Sequence, residues 1–201
     1  MTVMLGVHRI VEGHAAARGG EVALIGNDRV WTFRELNQRA NALARHLIDR
    51  GLRRGSRGII RMELGPELAM TLLAVLKAGA AYTWFDRADD SGWPEGISIG
   101  TDQDGQIAVH AFVSEREALE ASSRPAPNLP ILTRAHDIAC VMPQADGSGT
   151  LVPHSTIAAL QSHPVPRVSY WSSSAGALDL WVPLMAGIPV MLTATAEAAA
   201  A

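Results

Sequence analysis

Helical and extended signals alternate along this chain, and that alternation limits its fold more than any other feature. Thr32 with Glu35 forms a capping box, opening a helix whose apolar positions Leu36, Ala40, Leu43, Leu47 and Ile48 share one face and which stops at Gly51. Gly58–Leu64 reads as a strand. Pro66 suits a first helical turn, and Leu68–Leu76 is a strongly apolar helix ending at Gly79. Ala80–Phe85 is the next strand, aimed at Asp86. Arg87–Gly105, with its aspartates and glycines, reads as loop or shortened structure. Ile107–Val113 follows as a strand and Glu115–Ala121 as a short helix, and the three prolines of Ser122–Pro130 make a connecting loop. Beyond it come a strand at Ile138–Met142, a helix at Ser155–Gln161, a strand near Val168–Trp171, a helix near Ala177–Ala186 and a strand at Pro189–Thr193. Such alternation implies an α/β fold, a mostly parallel sheet flanked by helices. Residues 1–193 form one domain on this reading, and the alanine-rich residues 194–201 are a tail or linker.

The segment Ile138–His154, IACVMPQADGSGTLVPH, has the outline of a phosphate-binding loop. A strand, a turn rich in glycine and hydroxyls (Gly147, Ser148, Gly149, Thr150) and a helix N-terminus can cradle a polyphosphate with backbone N–H groups. Such loops add a cation. Here no Lys or Arg occurs between Arg134 and Arg167, and Asp146 puts a carboxylate inside the loop. Two unit charges about 4 Å apart interact by about 4 kcal/mol at an effective dielectric near 20, so Asp146 opposes a triphosphate.

The segment resembles the phosphate-loop motif of adenylation domains, the AMP-forming activating enzymes of nonribosomal peptide synthesis, roughly Y-T-S-G-S/T-T-G-x-P-K-G followed by V-x-H. Pro143, Gln144 and Ala145 stand at its Tyr, Thr and Ser, and Asp146 at its first Gly. Ser148 and Gly149 match, the Pro-Lys-Gly step is absent, and Val152, Pro153 and His154 resume the pattern. Two upstream segments strengthen the resemblance. Trp31–Leu36 continuing through Asn37–Leu47 is similar to (L/W)-T-(Y/F)-x-E-L-N-x-x-A-N-x-L-A-x-x-L, and Leu76–Tyr82 with Asp86 is similar to L-K-A-G-x-A-Y-V-P-x-D. Asp179–Gly187 resembles the W-E-I-F-G-P-L-L-x-G helix that follows the family's substrate-pocket motif. Order and spacing hold from about Val7 to about Leu192.

The resemblance implies an adenylation-domain fold, confined to its N-terminal portion, truncated and degenerate. Ser174 falls where amino-acid-activating relatives carry an Asp that pairs with the substrate ammonium, and a hydroxyl cannot supply that ion pair. The family uses one lysine in the phosphate loop and another in a C-terminal subdomain, whereas Lys77 is the only lysine here and reads as structural. The family's later motifs are expected to be missing after Gly187. The expectation is therefore a catalytically inactive domain with no catalytic residue and no cofactor. Its role would be an interaction platform for a condensation, carrier or tailoring domain of a peptide-assembly system. The alternative is the N-terminal half of a split enzyme completed by a complementary adenylation fragment.

Other features bound the function. Net charge −3 gives no nucleic-acid footprint. No apolar run approaches the roughly 20 residues of a membrane span, and no signal-peptide pattern opens the chain, which suggests a cytoplasmic protein. The seven histidines show no metal-ligand spacing, so no metal is expected. Cys140 falls within a candidate buried strand, His154 reads as a capping or packing residue, and Tyr82 and Asp86 as structural. Trp93 and Trp171 fit core or interface equally.

Overall fold

A computed structural model of the protein describes residues 6–26, 29–86, 92–103, 106–130, 133–144, 149–167, 169–172 and 177–192. The tail 194–201 lies outside them. The elements in chain order are α1 (Val7–Arg18), β1 (Val22–Ile25), β2 (Val30–Thr32), α2 (Phe33–Asp49), β3 (Ser56–Met62), α3 (Pro66–Lys77), β4 (Ala81–Asp86), β5 (Gly96–Gln103) and β6 (Gln106–Val113). They continue with α4 (Glu115–Ser122), β7 (Ile138–Pro143), β8 (Gly149–Pro153), α5 (His154–Ala159), a 3-10 turn (Leu160–Ser162), β9 (Ser169–Trp171), α6 (Ala177–Ala186) and β10 (Val190–Leu192).

The strands form two sheets, ordered β6-β5-β3-β4-β7-β8 and β2-β1-β10-β9. The expected α/β class with helices against the sheets is what the chain adopts. Parallel pairing occupies the middle of the larger sheet, where β4 runs beside β3 and β7. Antiparallel strands extend both of its edges, β5 and β6 on one side and β8 on the other. The smaller sheet is parallel through β1, β10 and β9, with β2 antiparallel at its edge.

The helix expected from the capping box forms as α2. Glu35 N–H donates to Thr32 Oγ1 at 3.2 Å and Thr32 N–H donates to Glu35 Oε2 at 2.9 Å. Leu36, Ala40, Leu43 and Leu47 are fully buried on its inner face. The motif asparagines face elsewhere. Asn37 and Asn41 donate to Asn128 Oδ1 at 2.8 and 3.0 Å, and Asn41 also donates to the Ala126 carbonyl at 2.9 Å, so α2 ties down the proline-rich connection.

Every residue of α3 except Glu67 is buried, as an all-round apolar helix requires. It ends at Gly79, whose φ of +82° lets the Ala80 N–H turn back to the Val75 carbonyl at 3.2 Å. The chain then enters β4 without a loop, which explains the glycine of the Leu-Lys-Ala-Gly segment.

Four strands and one helix go beyond the sequence expectation: α1, β1, β2, β5 and β8. β5 corrects the loop reading of Arg87–Gly105. Its glycines have little strand propensity, but it is paired along both sides, to β3 and β6, and that pairing holds it extended. A Cβ on Gly100 would lie 2.6 Å from Ile107 Cγ2 and 2.8 Å from the Ala108 carbonyl oxygen, next to the register shift between Ile99 and Gly100.

Candidate functional site

The phosphate-like segment is a β-hairpin. β7 and β8 pair antiparallel, with Pro143 opposite Gly149, Met142 opposite Thr150, Val141 opposite Leu151 and Cys140 opposite Val152. Gly149 and Thr150 therefore belong to a strand, a correction to their expected place in the loop. The β-branched Thr150 and Val152 favour the extended pairing. Gly149 has a packing role as well: a Cβ there would lie 2.5 Å from Val141 Cγ1. Across the hairpin neck, Gln144 Nε2 donates to Thr150 Oγ1 at 3.0 Å. Asp146, Gly147 and Ser148 lie outside the described residues, as does Ser174.

The helix beyond the hairpin starts at His154, as expected, but behind the whole of β8. Its first turn therefore does not abut the hairpin tip through the chain as in a strand–loop–helix cradle. His154 is fully buried. Its Nδ1 accepts from the Val7 N–H at 3.3 Å, which places the ring proton on Nε2 and makes His154 an anchor for the start of α1. Burial pushes its imidazolium down to about 4, against the opposing pull of Asp137. His8 stands 5.8 Å away, centroid to centroid, and is likewise held well below the ordinary histidine value, chiefly by burial and next by His154. Both rings are neutral near pH 7.

Lys77 does not reach the hairpin. Its side chain is fully buried and ion-paired with Glu12 of α1, a carboxylate that Arg9 also contacts. Burial brings its ammonium down to about 8, opposed by Glu12, so it remains charged at neutral pH. Its structural role is as expected, and its partner is a carboxylate on another helix.

Tyr82 and Cys140 are fully buried on neighbouring strands in register. Trp181 Nε1 donates to the Tyr82 hydroxyl oxygen at 2.7 Å. Burial raises the Tyr82 phenol well above its usual value and the Cys140 thiol to about 11, so neither supplies an anion at neutral pH. Trp171 is core, its ring centroid 5.2 Å from that of Trp84, and Trp93 is half-buried, its carbonyl accepting from Arg61. Sequence reasoning missed the Arg54–Asp137 pair, joined by two hydrogen bonds of 2.8 and 2.6 Å, because 83 residues separate its members.

Residues 11–91 match the family model described as AMP-binding enzyme. A linear gramicidin synthase of Brevibacillus parabrevis is 29% identical over 152 residues, 71% of this chain and 3% of that protein. The chain is homologous to adenylation domains. Malpinin synthetase of Mortierella alpina is 38% identical over 117 residues, 58% of this chain and 2% of that protein. The N-terminal subdomain of Klebsiella oxytoca NpsA, solved with 3-hydroxyanthranilyl-AMSN, superposes with a TM-score of 0.72 at 20% identity, covering 97% of this chain and 56% of that one. The adenylation-like chain thus has the fold of an N-terminal subdomain, and it spans a few per cent of the length of these curated synthetases. Among its described residues, no helix is long and apolar enough to cross a membrane.

Proposed function

We propose that this adenylation-like domain is catalytically silent and acts in the cytoplasm as a protein-interaction platform in nonribosomal peptide biosynthesis. The observation that carries the reading is the placement of Lys77. The only lysine in these 201 residues is buried against Glu12, and the stretch from Arg134 to Arg167 contains no other basic side chain than histidine. Phosphoryl chemistry depends on fixed positive charge around the developing phosphorane, and the hairpin offers Asp146 in its place. Ser174 at the position of the ammonium-pairing Asp argues the same way. Isothermal calorimetry of the chain with ATP, together with pyrophosphate exchange over amino and aryl acids, tests the reading. No exchange and no micromolar ATP affinity are expected; either signal overturns it.

A second reading has its own support. The chain matches 97% of itself to 56% of the NpsA N-terminal subdomain, so a second polypeptide could supply the unmatched remainder and complete a split enzyme. Restored exchange on mixing with such a fragment would favour that reading over the platform.

A further inference from the structure

The turns that lead into β3, β4 and β7 meet at one end of the larger sheet and border a cavity of about 680 Å³. These are the amino ends of three parallel strands. β7 runs six residues from Ile138 to Pro143, so roughly 16 Å separates this end from the neck of the β7–β8 hairpin. β3, β4 and β7 are inner strands with partners on both sides, so the floor does not depend on an open sheet edge. Register decides which side chains reach it. Arg57 pairs with Ala81, Tyr82 with Cys140 and Val141 with Leu151, so alternation puts Arg57, Ala81, Val141 and Leu151 on one face, away from the buried Tyr82.

Two guanidiniums, Arg54 and Arg57, line the cavity against one carboxylate, Asp137, in a chain whose net charge is −3. Arg54 is fixed in place: its Nε and Nη2 donate to Asp137 at 2.8 and 2.6 Å, and Asp137 also accepts from the Arg134 N–H at 2.8 Å. A guanidinium carries five N–H donors, so Arg54 keeps some for a second anion. Ser56, only 4% exposed, lines the same cavity; its Oγ accepts from the Arg53 N–H at 3.1 Å, which leaves the hydroxyl proton to donate. His136 stands exposed at the rim. The remaining wall is apolar, with Ile138, Val141 and Leu151, the last 57% exposed. A concave apolar wall with a few placed polar groups is the form of a small-molecule pocket, and the volume lies within the roughly 300–1,000 Å³ of such pockets.

We propose that this cavity binds a small organic monoanion, a carboxylate on a short apolar body, with the carboxylate between Arg54 and Arg57 and the body against Val141 and Leu151. The planar fork of a guanidinium matches a carboxylate, and Arg54 is already oriented by Asp137. Asp137 selects against higher charge. Arg54 holds its carboxyl below the ordinary range, so it is ionised at neutral pH. Two guanidiniums less one carboxylate leave a single positive charge, which suits a monoanion better than a phosphate dianion.

The test titrates the full chain with hexanoate, with its neutral counterpart hexanamide and with inorganic phosphate, following backbone amides by NMR. Hexanoate should shift the Gly55, Ala81 and Ile138 amides in a saturable way, and hexanamide should bind about tenfold more weakly or worse, since it lacks the charge-assisted bonds. Arg57→Leu should weaken hexanoate about tenfold. Leu151→Glu changes an exposed side chain, should leave the fold intact and should weaken hexanoate as strongly by placing a second carboxylate in the cavity. Should Arg57→Leu fail to fold, the hexanamide comparison and Leu151→Glu decide. No saturable shift, shifts scattered away from these amides, equal binding of hexanoate and hexanamide, or undiminished binding by folded Leu151→Glu would overturn the site. Phosphate binding more tightly than hexanoate would make it a plain anion site and overturn the proposal too. ATP binding is measured separately, so failure here leaves the silent-domain reading standing, and ATP affinity overturns that reading alone.

Discussion

Tyr82 and Trp181 stand 99 residues apart in the chain and meet through a 2.7 Å hydrogen bond from the indole N–H to the phenolic oxygen. Tyr82 lies on β4 of the larger sheet, and Trp181 on α6, which packs against the smaller one. Two of the adenylation-like segments therefore join the two sheets directly, and the same pair of sheets is tied again where Trp84 meets Trp171. These tyrosine and tryptophan positions hold the fold together.

Tyr82→Phe should cost about 1–3 kcal/mol, because the buried Trp181 N–H loses its acceptor. Trp181→Phe removes the donor with it and leaves a smaller ring in the same place. A double-mutant cycle by urea denaturation should give a coupling energy of about 0.5 kcal/mol or more between the two positions. A cycle that sums to zero would mean that the bond contributes nothing.

Lys77→Ala should destabilise the chain by about 3–5 kcal/mol, since it empties a buried site and strips Glu12 of one partner. Combining Lys77→Met with Glu12→Gln should recover most of that loss, because the group then left without its counter-ion is Arg9, whose side chain is 30% exposed and can be solvated. Urea midpoints of the two variants check the order, and equal midpoints would count against an ion pair that is costly to break.

The buried histidines set the acid limb of stability. His154 titrates near 4 in the folded chain and near 6.5 when unfolded, so the unfolded state takes up the proton first as pH falls. Stability from this group is complete above about pH 6.5 and declines toward pH 4, by about 3 kcal/mol at the lower end. His8 acts in the same direction. His154→Gln should lower stability at pH 7.5, where the Val7 N–H loses its imidazole acceptor, and should flatten the slope between pH 6.5 and 4. Urea titrations at stepped pH measure both effects; an unchanged slope would remove His154 as the cause.

Repair of the hairpin should fail. Replacing Asp146 by Gly and inserting Pro-Lys-Gly after Gly149 adds a single charge-assisted contact, worth about 1.5–3 kcal/mol. The insertion also enters β8 beside the residue that pairs with Pro143, so the new lysine lengthens a hairpin. Weak nucleotide binding at most, and no adenylate by mass spectrometry, is the expected outcome. A detectable acyl-adenylate would show that the changes in this loop alone keep the domain silent.

The sequence by itself determined the local structure and the ancestry. The Thr32–Glu35 box, the apolar face of α2, the start of α3 at Pro66 and its stop at Gly79 depend on residues within a few positions of one another, so pattern reading reaches them. Tertiary structure decided the pairing. β5 is glycine-rich and extended because strands lie on both sides of it, and Gly149 and Thr150 are strand because β7 is there to receive them. Lys77 found Glu12 across 65 residues, and Arg54 found Asp137 across 83. Spacing along the chain carries no record of such contacts. They arise only once packing removes the alternatives and a buried charge or polar group must be matched where it lies.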